Sequence, residues 1–175
     1  MIELFESELQ INSRQSSKGN QLKWKNGNDW YKADYTGYEG LSEYVVSSLL
    51  QKSTLDINEY VLYEPVQIKY GKVIYTGAKS NDFLQDDWQI ITLERLFQNY
   101  YGQSLNKAIY QTTNHKDRLK LIVEQVERVT GLEDFGGYMN RMFAIDAFFL
   151  NEDRHTHNMA VLMNGKGKFA YILVR

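Results

Sequence analysis

The sequence of 175 residues contains no cysteine and a single proline, Pro65. The absence of cysteine excludes disulfide bonds and thiolate metal sites. The net charge of -2 gives no large basic surface, which argues against nucleic acid as a primary partner. No uncharged apolar run is long enough to cross a bilayer, and the N-terminus lacks the basic start and apolar run of a secretory signal. These absences favour a cytoplasmic protein without a membrane segment.

What the sequence does contain is enough apolar material for a folded protein. Hydrophobic residues make up 43% of the chain and aromatic residues 14%, which suffices for one medium domain or two small lobes with a core. No repeat or low-complexity linker divides the chain. Glycine and asparagine therefore provide most of the turn signals.

The first part of the chain shows sheet patterns with one helix between them. Residues 21–25 and 30–35 are aromatic-rich and flank the sequence NGND, which predicts a β-hairpin. Leu41, Val45 and Leu49 recur at helical spacing, so we expect a helix that packs this face across the sheet. Further strands are predicted at residues 60–63, 66–70 and 72–76.

From residue 92 the pattern changes to helical periodicity. Thr92 is a candidate N-cap and Gly102 a candidate helix end, and a second amphipathic helix ends at Gly131. Residues 139–150 are apolar nearly all round, which predicts a buried helix. Residues 159–163 and 168–174 then flank the turn NGKG, which predicts a second hairpin.

The polar run 151–158, with the sequence NEDRHTHN, carries the strongest functional signal. Asp153 can accept or orient the proton of a substrate hydroxyl, while Asn158, five positions later, can supply an oxygen to magnesium, as phosphoryl transfer requires. His155 is expected to brace the loop by hydrogen bonds. One alternative is a turn stabilised by Asp and Asn side chains. The other is a zinc site formed with His157, although no H-E-x-x-H pattern is present.

Two residues of the first part suggest contacts to a nucleotide. Lys32 lies in a predicted strand beside aromatic residues that would cover its stem, so its ammonium can bind phosphate. Glu43 lies at the edge of the apolar face of the following helix, from which it can reach Lys32. The alternatives are a solvated strand lysine and an acidic residue that merely favours the helix dipole.

Two further segments are weaker candidates for nucleotide binding. The polar loop with Ser16, Ser17 and Lys18 could cover phosphates through its amides and hydroxyls, but it matches no glycine-rich phosphate motif, and an ordinary surface loop is the alternative. The segment around Glu64 and Val66 is expected where two lobes join, where its backbone could bond an adenine edge. The alternative there is an edge strand interrupted by Pro65.

The run 151–158 with the following MAVL resembles the D-R-H-x-x-N loop of HipA-like serine/threonine kinases and their phosphoinositide-kinase relatives. Residues 30–34 and 38–46 resemble the nucleotide-binding lysine of that family and the glutamate that pairs with it. Residues 77–84 resemble a stretch between the two lobes. The resemblance covers nearly the whole chain in the right order.

The resemblance implies an α+β, bilobal protein-kinase-like fold. Residues 1–91 would form an antiparallel-sheet N-lobe that binds nucleotide, and residues 92–175 an incomplete, mainly helical C-lobe. It also implies ATP and magnesium as cofactors, and phosphorylation of a protein substrate in a toxin–antitoxin-like setting, with an antitoxin-like partner.

The sequence departs from the family pattern after Asn158. The family would place a second metal-binding aspartate after the terminal hairpin, and none follows Asn158 here. Three explanations are open: a truncated kinase, a half completed by a separate C-terminal piece, or a catalytically inactive module that binds nucleotide or a partner protein. The apolar segment 139–150 would then be partly uncovered, which predicts a partner or self-association.

Overall fold

The computed structural model describes residues 1–10, 21–84 and 87–172, which form two compact units. The first unit is Met1–Phe83 and the second Leu84–Ile172 in the described chain. The division lies earlier than the expected one after residue 91. The reason is that Trp88–Thr92 forms a strand paired with Ala160–Asn164 of the second unit.

Within residues 1–10 and 21–83, the first unit contains a five-stranded sheet and one α-helix. Its elements are β1 (Ile2–Leu4), β2 (Lys23–Asn26), β3 (Asp29–Ala33), α1 (Glu39–Leu50), β4 (Glu64–Tyr70) and β5 (Val73–Asn81). The strand order is β1-β4-β5-β3-β2, antiparallel except for the pairing of β1 with β4. The predicted hairpin is confirmed as β2–β3, with Gly27 at a positive φ in its turn.

The larger of two buried clusters in the described part of the first unit lies on one face of this sheet. Because successive strand residues point to opposite faces, every second residue of a strand can enter the core. The buried cluster comprises Leu4, Trp24, Tyr31, Ala33 and Ile68. It draws on four of the strands, and so fixes their register.

Helix α1 is confirmed, but the face predicted to be buried was wrong. Leu41, Val45 and Leu49 are exposed, whereas Gly40, Ser47 and Leu50 are buried. Gly40 and Ser47 lie on the buried face because small residues let the helix backbone approach the sheet closely. Hydrophobic periodicity identified the helix correctly and its orientation incorrectly.

A second correction concerns residues 60–63, which were predicted to be a strand. A single 3-10 turn, Ile57–Glu59, precedes them, and Val61–Tyr63 have no regular structure. The turn is capped by Asp56, whose side chain accepts a hydrogen bond from the backbone N of Asn58 at 2.9 Å.

The second unit combines a three-stranded antiparallel sheet with four α-helices in the described chain. Its elements are β6 (Trp88–Thr92), α2 (Leu93–Tyr101), α3 (Leu105–Gln111), α4 (His115–Thr130), α5 (Phe135–Phe148), β7 (Ala160–Asn164) and β8 (Phe169–Tyr171). The predicted cap at Thr92 is confirmed, since its side chain accepts from the backbone N of Arg95. Both predicted helix ends are confirmed as well, with Gly102 and Gly131 left-handed.

Helix α5 is only partly buried, which differs from the burial predicted from its apolar pattern and agrees with the partly uncovered segment expected of an incomplete lobe. Phe135, Met139 and Met142 enter the core, but Phe148 and Leu150 at its end are exposed. The loop 151–158 follows directly and leads into the β7–β8 hairpin, which is confirmed. No helix in the described parts of the chain combines the length and the apolar character needed to span a membrane.

Candidate functional site

Lys32 and Glu43 form an ion pair within the first unit. Lys32 Nζ lies 2.8 Å from Glu43 Oε1, and the Lys32 side chain is 23% exposed. Burial is the largest influence on the pKa of Lys32 and lowers it, but Tyr63 and Glu43 together raise it above its ordinary value. The ammonium therefore stays charged at neutral pH, at the end of a side chain that is partly exposed.

The close approach of α1 to β5 explains why this pair forms. A Cβ atom on Gly40 would lie only 2.5 Å from the backbone C of Gly77, so only glycine fits there. Gly77 and Ala78 are paired with Ala33 and Lys32 of β3. The first turn of α1 thus lies beside the strand segment next to Lys32, and Glu43, one turn further along, reaches the ammonium.

The other sequence-predicted residues of the first unit are not at this pair. Glu64 and Val66 belong to β4, where they pair with Lys79 and Gly77 of β5, so the segment is a sheet strand and not a connection between units. The chain leaves the first unit after β5, at Phe83. The loop with Ser16, Ser17 and Lys18 lies outside the described residues.

In the second unit, a buried ion pair anchors the loop 151–158 to α5. Asp146 accepts hydrogen bonds from Arg154 Nε at 2.7 Å and Nη2 at 2.8 Å, a bidentate arrangement. Asn151 donates two further hydrogen bonds to this residue. Its Nδ2 donates to Asp146 Oδ1 at 2.7 Å, and its backbone N donates to the Asp146 carbonyl at 2.8 Å. Both ends of the first loop turn are therefore tied to one helix residue.

The Asn158 side chain closes the loop from inside. Its Oδ1 accepts from the backbone N of His155 at 2.8 Å, and its Nδ2 donates to the Asp153 carbonyl. Because one end of the amide accepts a hydrogen bond and the other end donates one, the two bonds determine which end carries the oxygen. Asn158 thus braces the turn, which is the arrangement expected of the alternative turn interpretation, and one lone pair of Oδ1 remains for another partner.

His155 and Asp153 are both partly exposed at the tip of this loop. His155 Nδ1 accepts from the backbone N of His157 at 3.2 Å, so in the neutral ring the proton lies on Nε2. Nε2 is 3.7 Å from Asp153 Oδ1, too far for a hydrogen bond. The Asp153 side chain is 47% exposed, which leaves its carboxylate free to meet a substrate hydroxyl.

Glu94, at the start of α2, ties the loop to two helices. Its Oε2 accepts from the backbone N of Asn106 in α3 at 3.0 Å, and its own N donates to the Thr156 carbonyl at 3.2 Å. Burial alone would raise the pKa of Glu94, but hydrogen bonds from Ser104 and Asn106 hold it below its usual value. The Thr156 hydroxyl adds to this shift from beside the carboxylate, although its geometry is not that of a regular hydrogen bond.

The described residues do not by themselves fit a magnesium or zinc site. They include no group of three or more His, Cys, Asp or Glu side chains placed to hold a metal ion. Magnesium requires near-octahedral oxygen coordination, and the loop offers Asn158, whose oxygen already accepts one bond, and Asp153.

Sequence reasoning did not single out four residues that contact the Lys32–Glu43 pair or hold the loop 151–158 in place: Tyr63, Glu94, Asp146 and Arg154. Asp146 carries a readable signal, because a carboxylate on an apolar helix needs a partner if it is buried. Tyr63 and Glu94 gave no such signal, since their contacts depend on how distant segments pack.

The mixed sheet with helix α1, the lysine–glutamate pair and the helical second unit with its loop define a kinase-like fold. A solved structure with this fold is that of the Helicobacter pylori proinflammatory kinase CtkA, with a TM-score of 0.60 and 16% sequence identity. The match covers 99% of this chain and 58% of that one, so the chain spans less than two thirds of that kinase. The likeness establishes the fold. The narrower assignment to HipA-like kinases stays a prediction.

Sequence comparisons do not assign the chain to a family. No protein-family model matches the chain, and no curated protein matches it in sequence.

Proposed function

We propose that this chain binds ATP through its first unit and contributes the catalytic loop of a protein serine/threonine phosphotransferase through its second. The observation that carries the proposal is the Lys32–Glu43 ion pair, with its 2.8 Å contact. A lysine held in this way by a helix carboxylate is the part of a kinase that binds nucleotide phosphates. The kinase-like fold supports the same assignment.

In the proposed reaction, Asp153 is the residue that meets the substrate hydroxyl. The hydroxyl oxygen attacks the γ-phosphorus, the bond from that phosphorus to the β–γ bridging oxygen breaks, and ADP leaves with that electron pair. The Asp153 carboxylate accepts the hydroxyl proton, as the aspartate of a kinase catalytic loop does. Its exposed position supports this role.

Calorimetric titration with ATP, in the presence and absence of magnesium salt, tests nucleotide binding. Lys32→Ala removes the charged donor, and a hydrogen bond to a charged group contributes about 1.5–3 kcal/mol, so we expect ATP affinity to fall by roughly tenfold to a hundredfold. Lys72→Ala is the matched control, because Lys72 is an exposed lysine of the same unit, in the turn between β4 and β5. Equal effects of both substitutions, or no ATP binding by the unaltered protein, would refute the proposal.

A second candidate function is a kinase-fold module that binds nucleotide or a partner but transfers no phosphate. Its support is the Asn158 side chain, whose oxygen accepts a bond inside the loop, together with the lack of an acidic metal cluster among the described residues. Label transfer from γ-labelled ATP to the protein or to a generic substrate separates the two functions. Transfer that Asp153→Asn abolishes refutes the module, and ATP binding without transfer favours it.

The protein substrate and an antitoxin-like or C-terminal-half partner belong to the same proposal. Exposed apolar residues support partner binding or self-association: Leu41, Val45 and Leu49 on α1, and Phe148 and Leu150 at the end of α5. Analytical ultracentrifugation of the purified chain over a range of concentrations measures the self-association.

A further inference from the structure

Tyr63 is the second side chain in contact with the Lys32 ammonium. The Tyr63 hydroxyl lies 3.3 Å from Lys32 Nζ, and Nζ lies 4.8 Å from the centroid of the Tyr63 ring. The hydroxyl can accept a hydrogen bond from the ammonium, and the ring adds a cation–π attraction. Tyr63 thus contacts the charge through both its polar and its aromatic parts.

Tyr63 itself has little freedom to move. Its side chain is 7% exposed and packs in a small core cluster with Val61 and Ala78, the latter being the strand partner of Lys32. Its backbone N donates to Ser47 Oγ at 3.2 Å, a buried hydrogen bond to α1. Both partners of the Lys32 ammonium are therefore fixed to the same helix.

The hydroxyl of Tyr63 contributes a hydrogen bond in addition to the packing of the ring. A phenylalanine would provide the same ring, whereas a buried tyrosine hydroxyl normally requires a hydrogen-bond partner. The partner here is the Lys32 ammonium.

The number of donors on the ammonium decides what remains for a ligand. An ammonium has three N–H donors. Glu43 takes one at 2.8 Å and Tyr63 one at 3.3 Å, which leaves one N–H without a partner among the described residues. A partly exposed lysine–carboxylate pair alone contributes little free energy, because its formation restricts a long flexible side chain. A second fixed contact removes much of that remaining freedom before any ligand arrives.

We propose that Tyr63 is a positioning residue for Lys32, whose hydroxyl and ring hold the ammonium so that its remaining N–H serves one anionic ligand oxygen. The identity of this oxygen rests on the proposed function, in which it belongs to a nucleotide phosphate. Tyr63 acts through Lys32 and needs no contact with the ligand itself.

Three variants separate this role from ordinary packing. Tyr63→Phe keeps the ring and removes the hydroxyl, while Tyr63→Leu removes both. Tyr60→Phe is the matched control, because Tyr60 is a buried tyrosine of the same segment. Thermal unfolding of each variant verifies that the fold is retained.

The first measurement needs no nucleotide. The pKa of Lys32 is measured by NMR on protein with 13C-labelled lysine, with the signal assigned by its loss in Lys32→Arg. We expect Tyr63→Phe to lower this pKa and Tyr63→Leu to lower it further, because each removes a group that stabilises the charged form. Tyr60→Phe should leave it unchanged. An unchanged Lys32 pKa in both Tyr63 variants overturns the inference.

The second measurement is ATP affinity by calorimetry. Loss of the hydrogen bond that positions the ammonium should weaken ATP binding by roughly threefold to tenfold in Tyr63→Phe. The effect should disappear when Tyr63→Phe is combined with Lys32→Ala, since Tyr63 acts through the ammonium. A loss that persists in the Lys32→Ala background overturns the inference.

The two measurements fail separately. If the unaltered protein binds no ATP, the proposed function is refuted, and the Lys32 pKa alone still decides whether Tyr63 positions the ammonium.

Discussion

Lys32 and Asp153, the two residues on which the proposed chemistry depends, are held in place by different means. Lys32 lies in a strand, and its partners Glu43 and Tyr63 come from a helix and from a segment 31 positions away. Asp153 lies in a loop that is braced mainly by bonds within residues 146–158. The lysine is therefore positioned by the packing of a whole unit, and the aspartate mostly by local turn geometry with one buried ion pair.

This difference separates the changes that should damage each group. In the second unit, removing a single buried charge should release the loop. In the first, altering the distance between a helix and a sheet should separate the ion pair, even when no charged residue is touched. Three predictions test the contrast.

The largest effect is expected from Asp146→Ala, which removes the anchor of the loop. Arg154 would keep a mostly buried charge without its partner, and breaking a buried pair in this way costs about 3–5 kcal/mol in free energy of unfolding. Urea unfolding measures the loss. Glu152→Ala, which removes an exposed carboxylate from the same loop, should change stability by less than about 0.5 kcal/mol. Comparable effects of the two would show that the loop does not depend on its ion pair.

The next effect is expected from Gly40→Ala, which tests the packing of the first unit. Helix propensity alone would make alanine more stable than glycine by about 1 kcal/mol. The new Cβ would instead meet the backbone of Gly77 at 2.5 Å, and such overpacking costs about 1–3 kcal/mol. We expect a net loss of stability together with weaker ATP binding, measured by urea unfolding and calorimetry.

The matched control for Gly40→Ala is a second helical glycine, Gly136 of α5. A Cβ there would meet only Val123, at an ordinary contact distance of 3.6 Å. Gly136→Ala should therefore stabilise the protein, by about 0.5–1 kcal/mol. If both substitutions change stability in the same direction, close helix–sheet packing does not explain Gly40.

The smallest effect is expected from Glu39→Gln at the start of α1, and it should depend on pH. Hydrogen bonds from Thr36 and the backbone N of Gly37 outweigh burial and lower the pKa of Glu39 to about 2. Because the native pKa lies below the ordinary value of 4.5, the carboxylate stabilises the fold above pH 4.5. This stabilisation is lost as the pH falls from there towards 2.

After allowance for solvent screening, the difference between the unaltered protein and Glu39→Gln should be about 1 kcal/mol at pH 7. Urea unfolding at pH 7, 4 and 2.5 measures it. Thr36→Val should reproduce part of the loss at pH 7, because it removes one of the donors. A difference that stays constant across this range would contradict a titrating carboxylate and imply a purely local cap.

The parts of the fold that the sequence predicted are those specified by local chemistry. The β2–β3 turn and the helix ends at Gly102 and Gly131 depend on residues that must adopt a positive φ, and such positions can be read from a few neighbouring residues. The cap at Thr92 is of the same kind.

The parts that escaped prediction depend on residues far apart in the chain. The parallel pairing of β1 with β4 and the strand β6 require partners many positions away. The orientation of α1 was missed because glycine contact outweighed apolar periodicity. In the site, Lys32 and Glu43 were predicted from their places in a strand and the following helix and from the family resemblance. Tyr63 was not, since its contact with Lys32 depends on how two segments 31 positions apart pack.

The contact between Gly40 and Gly77 also limits how the first unit can change over evolutionary time. A side chain at residue 77 would overlap the carbonyl oxygen of Lys32, and one at residue 40 would overlap residue 77. A larger residue at position 40 would separate α1 from β5, and a larger residue at position 77 would separate β5 from β3. Each position is therefore restricted to glycine for its own reason, one by a helix–strand contact and the other by a strand–strand contact.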